Sequence, residues 1–228
     1  MIYNIIATGS TGNAVIVNDE ILIDCGVAYK EIKPFQKKLR LVLLTHEHSD
    51  HFKPGTIRAL AHARPSLRFG CCKWMAPLLV EAGVAAAQID VFKPGSWTSY
   101  GDFQLCPVEL RHNVPNCGYK VWMHGESMIY ATDTGTLDGI EAKGYTLYLI
   151  EANHRREELE ARIAEKEALG QFAYEWKAAE NHLSFEQAID WLTENMAPES
   201  VWVPMHGHIV REGGTENAGS ENAGENDH

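Results

Sequence analysis

The feature that most constrains this chain is the run Leu41-Val42-Leu43-Leu44-Thr45-His46-Glu47-His48-Ser49-Asp50-His51. Four apolar residues in a row read as a short buried strand, being too few for a helix. Three histidines and one aspartate then fall within six positions. Buried imidazoles and carboxylates set so close repel one another or stay unsatisfied unless positive charge sits between them. A divalent metal meets that need, because neutral imidazole nitrogen and carboxylate oxygen are both good zinc ligands. His46 and His48, two apart on an extended segment, point to the same side. Asp50 and His51 lie beyond the bend and reach a second position. The plainer reading, a polar turn with solvated histidines, does not account for so dense a cluster.

His-x-His-x-Asp-His after an apolar strand resembles the signature of the metallo-β-lactamase superfamily. The resemblance implies an α/β (α+β) fold, the four-layer αββα sandwich, carrying a two-metal site. It spans residues 1–210, which read as one hydrolase domain. In residues 211–228 the segment Glu216-Asn217-Ala218-Gly219 recurs as Glu221-Asn222-Ala223-Gly224. Nothing there can pack, and this stretch reads as a disordered polar tail.

At 228 residues and 45% hydrophobic, the chain has enough apolar material for one full core. Its net charge of −11 weighs against a long polyanionic partner, although bound metals add positive charge outside that count. Five cysteines, an odd number without Cys-x-x-Cys spacing, read as reduced cytosolic thiols. Met1 to Ile6 has no basic region or cleavage site, and no apolar run approaches membrane-spanning length. The expectation is a cytoplasmic protein with no membrane partner.

Strands are expected over 2–7, 14–17 and 21–26, the first two flanking the turn Thr8-Gly9-Ser10-Thr11-Gly12-Asn13. Gly-Ser-x-Gly-Asn followed by Ile-Asp-x-Gly resembles the opening of the superfamily's nuclease-like members, and gives Asp24 the task of orienting a ligand histidine. A helix is expected from Pro54 to Ala63, a strand from Leu67 to Gly70 and a helix from Trp74 to Ala82. Val91, the Trp97 region and 103–110 read as strands of a second sheet. Residues 155–169 form a polar helix with a thin apolar stripe. A solvated face is the simplest account of it; a lid or a homodimer contact is the alternative. Phe172, Tyr174 and Trp176 either pack on the core or line a cleft.

Four further residues take roles from the resemblance. His112 stands at a strand end before a Pro- and Gly-containing loop, where the superfamily places its third first-metal histidine. Asp133, in Ala131-Thr132-Asp133-Thr134-Gly135, matches the carboxylate that bridges both metals. Zinc β-lactamases commonly carry cysteine there, so a β-lactam hydrolase is not expected. His206, ending the strand Val201–Met205, matches the last ligand of the second metal; His208, two positions on, is the alternative. His154 is read either as a neighbour of the ligands or as a helix-start polar residue.

His182-Leu183-Ser184 resembles the His-[Leu/Ser]-[Ser/Thr] motif of the superfamily's phosphodiesterase branch, which supplies a catalytic histidine that is not a ligand. Ser184 with Gln187 makes a capping box, so His182 lies just ahead of a helix whose apolar face is Phe185, Ile189, Leu192 and Met196. The resemblance thus implies two divalent ions, zinc first and manganese second. His46, His48 and His112 hold one, Asp50, His51 and His206 the other, and Asp133 touches both. His182 and Asp50 are the catalytic residues. The expected activity is phosphodiester hydrolysis. The chain is compact and lacks a long inserted arm, which leans toward a small substrate; the arrangement also resembles the anti-Pycsar enzymes, which degrade cyclic mononucleotides. A DNA or RNA nuclease and a glyoxalase II-like thioesterase or lactonase are the alternatives.

Overall fold

Every residue of β2 (Ala14–Val17) and β4 (Leu41–Leu44) is buried, yet alternate side chains serve different layers. Ala14, Ile16, Val42 and Leu44 enter one apolar cluster, and Val15, Val17, Leu41 and Leu43 another. A strand's two-residue period sends neighbours to opposite faces, so this sheet separates two cores. A strand buried on both faces needs apolar residues throughout, which is why the sequence shows a continuous run.

The computed structural model describes residues 1–173 and 175–207. The first sheet has the order β1 (Tyr3–Ala7), β2, β3 (Ile21–Ile23), β4, β5 (Arg68–Cys72), β6 (Ile89–Phe92). The second comprises β7 (Thr98–Tyr100), β8 (Phe103–Leu110), β9 (Asn116–Met123), β10 (Glu126–Ala131), β11 (Leu147–Glu151) and β12 (Val201–Met205), ordered β12-β11-β10-β9-β8-β7. Between the sheets, Leu41 and Leu43 meet Tyr119, Val121, Tyr130 and Leu149. Short α1 (Tyr29–Ile32), α2 (Pro54–Ala63) and α3 (Ala76–Glu81) cover the outer face of the first sheet, with Ile32, Ile57, Leu60 and Leu79 on Leu22 and Leu44. On the far side α6 (Phe185–Asn195) packs Ala188 and Leu192 against Ile129, Tyr148 and Ile150. The layers are therefore α, β, β, α, as expected. Between β11 and α6, α4 (Arg156–Ala168) and α5 (Glu175–Asn181) share a separate small cluster of Leu159, Ile163, Ala173 and Ala178.

Several expectations need correcting. Val91 belongs to the first sheet, because β6 pairs in parallel with β5 (Cys71 opposite Val91) after the crossover through α3. The β5 strand is displaced to Arg68–Cys72, and β3 stops at Ile23 because Asp24 turns into the left-handed region at φ 63°. On α6, Ile189 is 37% exposed and Ala188 takes its place in the core. Helix α5 had no clear periodic signal, and Phe172 and Trp176 are exposed and do not line the cleft described below. His208, the boundary at 210 and the 211–228 tail lie outside the described residues, as does Tyr174. Among the described residues no helix is long and apolar enough to cross a membrane.

Strand direction places the chemistry. In the first sheet β1, β3 and β4 run one way, with β2 antiparallel between β1 and β3. In the second, β8, β10, β11 and β12 share a direction, with β9 opposed. The C-terminal ends of these strands release Thr8, Asp24, Thr45, His112, Thr132, Ala152 and His206 on one edge of the sandwich. His206 N–H joins the sheets there by donating to Thr8 Oγ1 at 2.8 Å, and at the same edge of the first sheet Asn13 N–H donates to the Asp50 carbonyl at 2.6 Å.

Candidate metal centre

His46 and His48 follow β4, and His112 follows β8; one ring nitrogen from each lies within 4.8 Å of the other two. The Nδ1 of His112 lies 3.1 Å from the Asn181 carbonyl, a hydrogen bond that leaves Nε2 as a lone pair. That Nε2 faces His48 Nδ1 at 3.3 Å. His46 is fully buried, and its Nε2 has no hydrogen-bond partner among the described residues. Burial, then repulsion from His51, pulls the His46 pKa down to about 2, and burial lowers that of His112. Ring nitrogens of three histidines converge on one point, and burial keeps two of those rings, His46 and His112, uncharged.

A second group consists of Asp50, His51, Asp133 and His206. His51 Nδ1 is 2.7 Å from Asp24 Oδ2, and Asp24 is itself fixed by the backbone N–H and hydroxyl of Thr45, each at 3.0 Å. His51 Nε2 then points to Asp133 Oδ2 at 2.9 Å, yet that oxygen is buried without a hydrogen-bond partner. His206 Nε2 stands 3.3 Å from Asp50 Oδ2 and 3.5 Å from Asp133 Oδ1. Burial works against charge on His51, but Asp24 and Asp133 outweigh it and carry its pKa well above the usual range. Burial likewise opposes ionised Asp133, which His51 and His206 nonetheless hold well below the carboxylate range. For His206 burial is overcome by hydrogen bonds to Asp50 and Glu151, which lift the pKa to about 10. With only protons present, protons take the cation's place. Orphaned buried atoms and an oxygen–nitrogen donor set both fit divalent ions.

Asp24, Asp133 and His206 adopt positive φ of 63°, 58° and 51°. Such backbone is uncommon outside glycine, and it turns each chain sharply at its strand end.

His182 completes the arrangement. It closes α5, donating its N–H to the Ala178 carbonyl, as well as preceding Ser184, the N-cap of α6. Its Nδ1 is 2.6 Å from Glu151 Oε1 and 3.8 Å from Asp133 Oδ1. The ring stacks on His206 with centroids 5.3 Å apart. Burial lowers its pKa, but the Glu151 hydrogen bond and charge prevail and raise it.

A family model described as a beta-lactamase superfamily domain matches residues 19–206. The chain belongs to this superfamily. It is 25% identical over 232 aligned residues to exodeoxyribonuclease WalJ of Streptococcus pneumoniae, covering 92% of this chain and 82% of that one. Two crystal structures share the fold. The metallo-beta-lactamase fold protein YhfI from Bacillus subtilis superposes with a TM-score of 0.68 at 16% identity, over 91% of this chain and 86% of that one. The human short-form tRNase Z gives 0.66 at 14% identity, over 90% and 92%.

Against this superfamily background, the structure brings together all seven candidate ligands and sets His182 beside them. Asp133, Glu151, His182 and His206 make a third group close enough to hold an ion, and His154 belongs to none of the three; it lines the cleft, with Nδ1 buried and unpartnered among the described residues. Sequence reasoning missed three residues. Glu151 is fully buried and accepts from the Thr134 and Leu183 N–H groups besides His182. Asn153 Nδ2 donates to the His206 carbonyl at 2.9 Å, and Asn13 Nδ2 reaches Asp50 Oδ2 at 3.2 Å. The available signal was Glu151 itself, an acid ending a strand of otherwise apolar and tyrosyl residues, as Asp133 follows another. The site opens into a cleft of about 970 Å³ whose far wall is α4 and α5.

Proposed function

We propose that this chain is a two-metal phosphodiesterase acting on nucleic-acid strands. The observation that carries the reading is the His182–Glu151 pair at 2.6 Å beside the two groups His46, His48, His112 and Asp50, His51, Asp133, His206. With Asp133 and His206 the pair forms a third group close enough to hold an ion, and we read it as a proton donor and its anchor because Glu151 already engages His182 Nδ1. His46, His48 and His112 would hold one ion and Asp50, His51 and His206 the other, with Asp133 placed to serve both; zinc would suit the nitrogen-rich set, manganese less so. Two such ions supply a water of lowered pKa and withdraw charge from the phosphoryl oxygens. Asp50, 19% exposed at its side chain, has the open position needed to orient the attacking water. His182 Nδ1–H stays with Glu151, so Nε2 carries the proton that passes to the departing oxygen. Buried Glu151 fixes that ring and favours its charged form.

Similarity to an exodeoxyribonuclease supports a strand as substrate. The second reading, a small cyclic nucleotide, draws support from the net charge of −11. Purified protein of measured metal content should be offered single-stranded DNA, cyclic mononucleotides, bis(p-nitrophenyl) phosphate and a glutathione thioester. Turnover of DNA is expected. Exclusive turnover of cyclic mononucleotides would establish the second reading, and thioester turnover that survives His182→Ala would replace both.

A further inference from the structure

Helix α4 sorts its charges by face. Arg155, Glu158, Leu159 and Arg162 line the cleft at spacings of three, four and seven residues, one side of a helix. Glu157, Glu160, Glu165 and Glu167 do not line it. From α5, Glu175 and Lys177 join the same wall. Glu175 is held at 2.5 Å by Lys166, which ties the end of α4 to the start of α5. Among the described residues Glu158 is then the acid without an ion pair on a wall that carries Arg155, Arg162 and Lys177. Arg155 rests over the Phe185 ring at 4.5 Å. The side chains of Arg162 and Lys177 have no ion pair or hydrogen bond within contact distance among the described residues, although Arg162 stands near enough to Glu175 to help lower its pKa after Lys166.

A local excess of positive charge in a chain of net charge −11 needs a cause beyond composition. The wall is continuous with the site, since His48, Asp50, His182 and His206 line the same cleft. Arg162 lies two turns beyond Arg155, roughly 10 Å along α4. A cyclic mononucleotide has a single phosphate, which the metals must take, and has nothing to offer cations farther along. A strand has further phosphates, and a basic groove that follows the backbone is how single strands are held.

We infer that the α4–α5 wall is a backbone-binding subsite, in which Arg162 and Lys177 hold phosphates of the strand beyond the scissile one. This rests on the phosphodiesterase reading above and narrows its substrate to polynucleotides. The test compares the full chain with Arg162→Ala/Lys177→Ala, both of measured metal content, on a single-stranded oligodeoxynucleotide and on bis(p-nitrophenyl) phosphate. The double variant should lose about ten-fold or more in kcat/KM on the oligonucleotide, mainly through KM. Its loss on the small ester should be smaller by a similar factor. The slope of log KM against log salt should shrink by about 1.4, the value for two lost single-strand phosphate contacts. Arg162→Lys with Lys177 intact should keep the slope, because it keeps the charge. If the parent cleaves the oligonucleotide and the double variant matches it in KM and salt slope, the subsite is wrong and the phosphodiesterase reading stands. If the parent turns over the small ester but no oligonucleotide, the strand reading fails and takes the subsite with it.

Discussion

The divergent environments of His51, His112 and His182 show how one residue type is divided among tasks by its second ring nitrogen. In His51 that nitrogen meets Asp24, in His112 the Asn181 carbonyl, and in His182 Glu151. The last pair shares Asp133 and His206 with the second metal group without being needed for its four members. His182→Ala should therefore keep both metals while kcat falls roughly 10²-fold or more, the loss typical of removing a proton donor. The loss should be smaller for p-nitrophenyl esters, whose leaving group needs no proton; elemental analysis and rates on two leaving groups check this. Glu151→Gln keeps an oxygen for the Thr134 and Leu183 amides but removes the charge that raises the His182 pKa. A raised pKa keeps the acid protonated to higher pH, so the variant's basic limb in the pH–rate profile should move to lower pH. An unmoved limb would assign that limb to a group other than His182. At this scale the motif residues were legible because their types and spacing are unusual. Glu151 was not, since a single acid at a strand end looks like any turn residue.

Elements were legible where pattern and punctuation agreed. Pro54 opens α2 and the helix ends at Ala63, matching its expected bounds. The capping box of α6 is present, with Ser184 Oγ accepting from Gln187 N–H at 3.2 Å and Gln187 Oε1 from Ser184 N–H at 3.0 Å. Ser184→Ala should cost about 1 kcal/mol in unfolding free energy. Because His182 is only two residues upstream, kcat should fall as well, with metal content intact. Denaturant melts and kinetics on one preparation test the pair of effects, and a variant of parental stability would show that the cap contributes nothing. Other elements hid for physical reasons. Helix α5 has no buried residue, so no apolar stripe marks it, and β6 alternates too weakly to announce its sheet. Pairing with β5 decides that placement, and pairing is a long-range property.

Over the whole molecule, the sandwich closes its edge by burying charges that repel one another unless cations or protons intervene. Metal-free, His206 has its pKa lifted to about 10 and His51 moves in the same direction, while Asp133 is held low. The sign follows from linkage. Histidines raised above an unfolded value of about 6.5 contribute stability in full below that pH and lose it as pH climbs through their folded pKa, about 10 for His206. Asp133 contributes above an unfolded value of about 3.9 and loses its contribution as pH falls. His46, held down to about 2, and His112, lowered by burial, act the opposite way and cost stability as pH falls below about 6.5. Chelated protein should therefore be most stable near pH 6.5, with Tm declining from there to pH 9. Metal ions take the sites that those protons occupied, so binding releases protons and tightens as pH rises. A ligand that binds only the folded state adds stability according to its affinity. The Tm gap between metal-loaded and chelated protein should thus widen from pH 6 to 9, and calorimetric titration in buffers of different ionisation enthalpy should register proton release. A constant gap with no proton release would mean that His51 and His206 are already neutral in the free protein, and that the carboxylates around them do not set their charge.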